Sequence, residues 1–221
     1  MPALAIAHRA GNSLSALHTA NQLGVDVVEC DVHEHRGRLE VRHLMTAGPL
    51  PFLWDRWELA SASAPRLGLA ELLEANAHGT MFMLDIKGRR ASAATAVAQL
   101  LHRTGQDRPV MVCGRWWPSV EIAAELPFVR PVLSARNRGE LSRLHERLAA
   151  GPVVHGVSVH MSLLSAAVVA ELRRHVDLVM TWPVNDSKAL EAMLAIGVTG
   201  IISDEPAVLS DLLARRTEGG D

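Results

Sequence analysis

Eight short apolar runs alternate with eight longer amphipathic stretches along the chain, and this constrains the fold more than any other feature. The runs cover residues 3–7, 25–28, 81–84, 110–113, 129–133, 156–159, 178–180 and 200–202. Most are apolar at consecutive positions, as in strands buried on both faces of a parallel sheet. Helical patterns follow at 13–23, 69–77, 91–101, 117–126, 138–148, 165–173, 187–195 and 207–213. Asn12 and Ser13 precede the first helix, Gly24 follows it, and Asp204-Glu205-Pro206 opens the last, all of them helix-boundary signals. Spread over eight units, the 221 residues leave about 28 each, close to the ~30 of a βα repeat. A closed α/β barrel, the (β/α)8 or TIM barrel, fits best: compact, with a short insertion after the second strand. An open doubly wound sheet is the other arrangement that the alternation admits. No linker, repeat or low-complexity stretch interrupts the pattern, so residues 1–221 read as a single domain.

Composition narrows the function classes. A hydrophobic share of 48% rules out intrinsic disorder. A formal net charge of −2 argues against a dedicated nucleic-acid binder or a polybasic membrane anchor. No apolar run reaches the roughly 18 residues of a membrane span, and the apolar start is too short for a signal peptide. A cytoplasmic protein is expected. Its two cysteines, Cys30 and Cys113, sit in apolar runs and read as buried free thiols.

In such a barrel, catalytic groups lie at the C-terminal ends of strands or in the loops that follow. The first strand ends Ala7-His8-Arg9, the second carries Glu29-Cys30-Asp31-Val32, and the third ends Asp85-Ile86-Lys87. A tight Arg36-Gly37-Arg38 turn leads back to His43. Period-two geometry puts Glu29 and Asp31 on one strand face, and likewise Asp85 and Lys87. If those faces line the interior, three carboxylates and an ammonium converge, with Cys30 pointing out toward the helices. Such acids must hold a proton or a cation, and oxygen-only ligands favour Mg²⁺ or Ca²⁺ over zinc. Three carboxylates, a divalent ion, Arg9 and Lys87 together leave one positive charge, matching a monoanion such as a phosphodiester. His8 and His43 are candidates for general base and general acid.

These residues resemble the glycerophosphodiester phosphodiesterases, metal-dependent (β/α)8 barrels. The family pattern opens with His-Arg-Gly and continues with Glu-x-Asp-Val, a hairpin ending in His, and a carboxylate-x-Lys. Here those positions read His8-Arg9-Ala10, Glu29-Cys30-Asp31-Val32, His43 and Asp85-Ile86-Lys87. Trp182-Pro183-Val184-Asn185 and the stretch from Gly197 to Pro206 match two further family segments. The resemblance runs from residue 5 to residue 210. It implies Glu29, Asp31 and Asp85 as ligands of one divalent metal (Mg²⁺ or Ca²⁺, with Mn²⁺ as a further choice) and His8 and His43 as the acid-base pair. It also implies Arg9 and Lys87 as phosphate contacts and Trp182 as a wall for the alcohol portion. The implied reaction converts a small glycerophosphodiester to glycerol phosphate and an alcohol, in lipid metabolism. A lyase-like release of cyclic phosphate is a variant.

The sequence departs from the pattern at several points. Ala10 replaces glycine, the usual Pro-Glu-Asn-Thr loop shrinks to Gly11-Asn12-Ser13, and Leu44 follows His43 where an aspartate is usual. Asp85 stands where glutamate is common, and residues 46–64 are shorter than the insertion that often caps the site, so an open mouth is expected. Ala10 and Leu44 motivate a second reading, a non-catalytic barrel binding phosphorylated ligands. A third takes His33-Glu34-His35 as the metal pair of an amidohydrolase, although that pair belongs after the first strand. His18, His35, His78, His102, His145 and His175 read as structural or surface residues. His33 suits either the metal or the hairpin, and His160 is a candidate for the mouth. Asp204 reads as a helix N-cap. Arg115 and Arg136 are candidate secondary anion contacts, and Trp116 and Trp117 suit the core, a lid or the substrate.

Overall fold

The computed structural model describes residues 2–46, 50–54, 59–76, 79–104 and 108–218. The chain begins with β1 (Leu4–Ala7), a 3-10 turn (Ala10–Asn12) and α1 (Leu14–Leu23). The Ser13 hydroxyl caps α1 by accepting from the Ala16 amide, and Gly24 ends the helix in the left-handed conformation that glycine adopts at no steric cost. Next comes β2 (Val27–His35), which folds back through β3 (Arg38–Val41). A small antiparallel sheet of β4 (Met45–Thr46), β5 (Phe52–Trp54) and β6 (Leu59–Ser61) follows, and then α2 (Leu69–Ala75). From there strand and helix alternate. They are β7 (Met81–Ile86), α3 (Ala91–Arg103), β8 (Val110–Gly114), α4 (Trp117–Ala123), β9 (Val129–Ala135), α5 (Arg138–Ala150), β10 (Gly156–His160), α6 (Ala166–Leu172), β11 (Leu178–Trp182), α7 (Ser187–Ala195), β12 (Gly200–Ser203) and α8 (Pro206–Glu218).

Strands β1, β2 and β7 to β12 pair in parallel, and β1 pairs with both β2 and β12, so the sheet closes into a (β/α)8 barrel. The open-sheet alternative is thereby overturned. The apolar runs suit this closed arrangement, with helices covering the outer face and the strands' own side chains filling the inside. The interior is filled by Ile6, Val27, Met83, Met111, Val132 and Met180, among others, as a packed plug. Cys30 faces the helical layer, as its parity required, whereas Cys113 lies in the interior cluster.

The seam between first and last strands is tied from below. Asp26 accepts from the Ala5 amide at 2.6 Å and from Arg216 at 2.7 Å, and Arg216 also donates to the Ala3 carbonyl. Charge-assisted bonds of this kind are about twice as strong as neutral ones.

Gly11 sets how closely the first loop approaches β2. A Cβ there would lie 2.7 Å from the Cys30 Cβ and 3.2 Å from the Glu29 carbonyl. Gly11→Ala should therefore destabilise the protein by about 1–3 kcal/mol, read as a lower midpoint in thermal or urea unfolding. An unchanged midpoint would mean that this loop is not packed as described.

Candidate active site

The odd-numbered side chains of β2 and β7 point into the barrel above the apolar plug, and this brings Glu29, Asp31 and Asp85 together. Their ligand oxygens all lie within 4.8 Å of one another. Asp31 and Asp85 are register partners across β2 and β7. Among the described residues this is the one group of three or more metal-ligating side chains. His33 and His35 lie outside it, opposite Glu40 and Arg38 in the β2–β3 hairpin. Burial and the nearby Arg42 hold His33 down at about 3. The amidohydrolase reading fails on this placement.

Each carboxylate is held differently. Glu29 accepts from the Arg9 amide at 2.7 Å, which Arg9 presents from the left-handed region at φ 55°. That conformation costs a non-glycine residue roughly 1–2 kcal/mol, offset here by the bond to Glu29. Asp31 accepts from Asn12 Nδ2 at 2.8 Å while its amide donates to Asn12 Oδ1 at 2.9 Å. Lys87 Nζ lies 2.6 Å from Asp31 and also contacts Asp85. Arg9 Nε is 3.8 Å from Asp31. Burial, together with the charge of Asp31, pushes Glu29 up to about 7. Burial acts on Asp31 in the same sense, but bonds from His43, Lys87 and Asn12 outweigh it and hold this carboxylate far below its ordinary range. Lys87 is pulled the other way: burial disfavours its charge, yet Asp85, Asp31 and Glu29 raise it well above an ordinary lysine.

The two histidines flank this cluster. His8 Nδ1 is 2.7 Å from Asp204 Oδ1, and its Nε2 is 3.9 Å from Glu29. Burial opposes protonation of His8, but the bond to Asp204 and the charge of Glu29 prevail and raise its pKa. His43 follows β3, and its Nδ1 is 3.3 Å from Asp31 Oδ2, so Asp31 orients the ring in place of the aspartate missing at position 44. Leu44 is instead a buried anchor. The buried Arg42, paired with Glu40 at 2.9 Å, donates to the Leu44 carbonyl and fixes the loop that carries His43.

Asp204 needs correction. Both its oxygens are engaged, Oδ1 by His8 and Oδ2 by Asn185 Nδ2 at 3.0 Å. It does not cap α8; the Glu205 carbonyl takes the first helical bonds, from Val208 and Leu209. Despite its burial, the bond with His8 brings Asp204 down to about 2. Its signal in the sequence was its position just after β12, in step with Ile202, whose side chain faces the interior. Asn12 was likewise missed, having been read only as a helix-boundary residue.

On the other side of the mouth, Trp182 and His160 meet edge to face, with ring centroids 5.0 Å apart at 87°. The peptide joining Trp182 to Pro183 is cis. Arg115 is paired with Glu140, which also accepts from the Arg136 amide at 2.7 Å. Trp117 donates to the Ser134 carbonyl at 3.1 Å and packs against the core. His78 lies outside the described residues.

The donor set fits a hard divalent ion: three converging carboxylates, two of them fully buried, with a proton held on Glu29 near neutrality where a cation would release it.

No protein-family model and no curated protein matches the chain. Solved structures do. A phosphodiesterase from Oleispira antarctica in complex with the product sn-glycerol-3-phosphate aligns with a TM-score of 0.75 at 19% identity, over 95% of this chain and 96% of that one. A glycerophosphodiester phosphodiesterase from Thermotoga maritima gives 0.76 at 16% identity, over 96% and 99%. One from Parabacteroides distasonis gives 0.67 at 20% identity, over 97% and 98%. At these identities the likeness is one of fold.

Proposed function

We propose that this chain is a metal-dependent phosphodiesterase of the glycerophosphodiester phosphodiesterase family, cleaving a small glycerophosphodiester to glycerol phosphate and an alcohol. The observation that carries this reading is the convergence of Glu29, Asp31 and Asp85 between His8 and His43, beside Lys87 and Arg9. The motifs that resemble that family fall at the ends of the barrel strands β1, β2 and β7 and on the β2–β3 hairpin, and the Oleispira antarctica structure of the same fold holds sn-glycerol-3-phosphate.

Glu29, Asp31 and Asp85 would hold one Mg²⁺, Ca²⁺ or Mn²⁺ ion, which when bound supplies charge stabilisation to the phosphoryl oxygens. Lys87 and Arg9 add two cations at the same mouth and orient the phosphodiester. One histidine takes the proton of the attacking oxygen, from water or the substrate's own hydroxyl, as the new P–O bond forms. The other gives a proton to the departing alcohol as its P–O bond breaks. Asp204 fixes the tautomer of His8: an ionised carboxylate only accepts, so Nδ1 carries the hydrogen and Nε2 is left for proton transfer. Trp182, braced by His160, walls the alcohol side. Cys30 and Cys113, both buried and unpaired, support a cytoplasmic setting.

The test is hydrolysis of a panel of glycerophosphodiesters by purified protein. Chelation by EDTA should abolish turnover, and Mg²⁺, Ca²⁺ or Mn²⁺ should restore it. Full activity in EDTA sinks the metal assignment, and ligand binding without turnover across the panel sinks the enzyme reading.

A further inference from the structure

We propose that the sector of the mouth built by β2 to β6 and the β7–α3 loop docks on an anionic phospholipid bilayer. The small β4–β5–β6 sheet carries an apolar row. Met45 pairs with Trp54, and Trp54 pairs with Leu59, so the three side chains share one face. They are 47%, 43% and 69% exposed, and the nearby Leu50 is 50% exposed. Leu53, which points the other way, is fully buried. A sheet this small with one buried and one exposed apolar face is amphipathic in the wrong sense for a freely solvated surface.

The same end of the barrel carries a cluster of cations. Arg36 and Arg38 flank the tip of the β2–β3 hairpin, and Arg89 and Arg90 lie in the loop between β7 and α3; all four are exposed. Glu34 draws the two pairs together by accepting from the Gly37 amide at 3.2 Å and from Ser92 Oγ, at the start of α3, at 3.0 Å. None of the four arginines is ion-paired with another described residue. Strand β2 neighbours β7 in the barrel, which brings hairpin and loop together at the C-terminal end. The small sheet leaves from that same end, its first strand starting two residues after His43, which contacts Asp31. The near-neutral total charge conceals this local excess.

The occupant follows from area and charge. A stable protein interface buries about 800 Å² on each partner, more than four half-exposed side chains can offer. A bilayer asks only for shallow insertion of a few apolar groups, with Trp at the interface, plus attraction of basic groups to anionic headgroups. No helix among the described residues is long and apolar enough to cross a membrane, so the contact is peripheral. It requires neither metal nor turnover, and it stands or falls apart from the hydrolase reading.

Co-sedimentation with vesicles of phosphatidylcholine, with and without phosphatidylglycerol, tests it. Binding is expected only when phosphatidylglycerol is present, and it should weaken as salt rises. Met45→Ser/Trp54→Ser/Leu59→Ser should reduce the vesicle partition coefficient about tenfold or more. Arg36→Gln/Arg38→Gln/Arg89→Gln/Arg90→Gln, confined to exposed side chains, should do the same. Hydrolysis of a water-soluble glycerophosphodiester and the thermal midpoint of each variant report whether the barrel is intact. No binding to either vesicle, equal binding to both, or undiminished binding by the arginine variant overturns the proposal. A dimer that disappears in the triple serine variant also overturns it, by assigning the row to self-association.

Discussion

Asp31→Asn should lower kcat/KM by about 10³-fold or more, because one carboxylate serves four neighbours. It is a candidate metal ligand, the counter-charge of Lys87 at 2.6 Å, the orienter of His43 at 3.3 Å and the partner of Asn12 at 2.8 Å. The amide keeps the shape and removes the charge. Stability should fall much less than activity. Breaking a buried ion pair typically costs about 3–5 kcal/mol, but here the lost attraction to Lys87 is partly offset by relieved repulsion from Glu29 and Asp85. Metal titration by calorimetry, steady-state kinetics and thermal unfolding on one preparation would separate the two effects. Near-normal turnover in this variant is incompatible with the proposed centre.

The second large effect is expected from Asp204→Asn, at about 10²–10⁴-fold in kcat. The reason is directional. Asn185 Oδ1 accepts from the Asp204 amide at 3.0 Å, so its Nδ2 is the group facing Asp204 Oδ2. In the variant, the new carbonyl oxygen must face that donor, which turns the amide NH₂ toward His8. A donor then meets Nδ1, the hydrogen moves to Nε2, and the ring holds the wrong tautomer for accepting a proton there. His8→Ala should cost a similar factor, and Asp204→Asn added to it should cost little more, since both changes remove one function. Additive losses would show that Asp204 acts on something other than His8. A pH-rate profile shared by the two single variants would distinguish loss of a positioned base from general damage.

The barrel was legible because burial on both faces writes a continuous apolar run, and each of the eight runs falls on or overlaps a barrel strand. The convergence of Glu29, Asp31, Asp85 and Lys87 was legible for a related reason: parity along two neighbouring strands fixes which side chains share a face. The small β4–β6 sheet was not, since strands of two or three residues show no period. Asp204 was misread because a carboxylate ahead of a helix-opening proline looks the same whether it caps the helix or turns back into the barrel. Which occurs depends on Asn185 and His8, residues brought there only by the fold. Leu44 looked like a loss in the sequence because the partner of His43 was sought next to it in the chain and not across the hairpin on β2.

The closing seam bears on the order in which the proposed activity arises during synthesis. The carboxylates sit on β2 and β7, inside the first 86 residues, while the anchor of His8 lies 196 positions further along the chain than His8 itself. A growing chain emerges with its acidic cluster complete long before β12 can pair with β1. Pairings this distant form late, because the entropy of closing the loop must be met first. On the proposed assignment, ion-binding capacity is thus encoded early and proton-transfer competence last, and a partly made barrel is expected to capture metal yet remain chemically silent until the ring shuts.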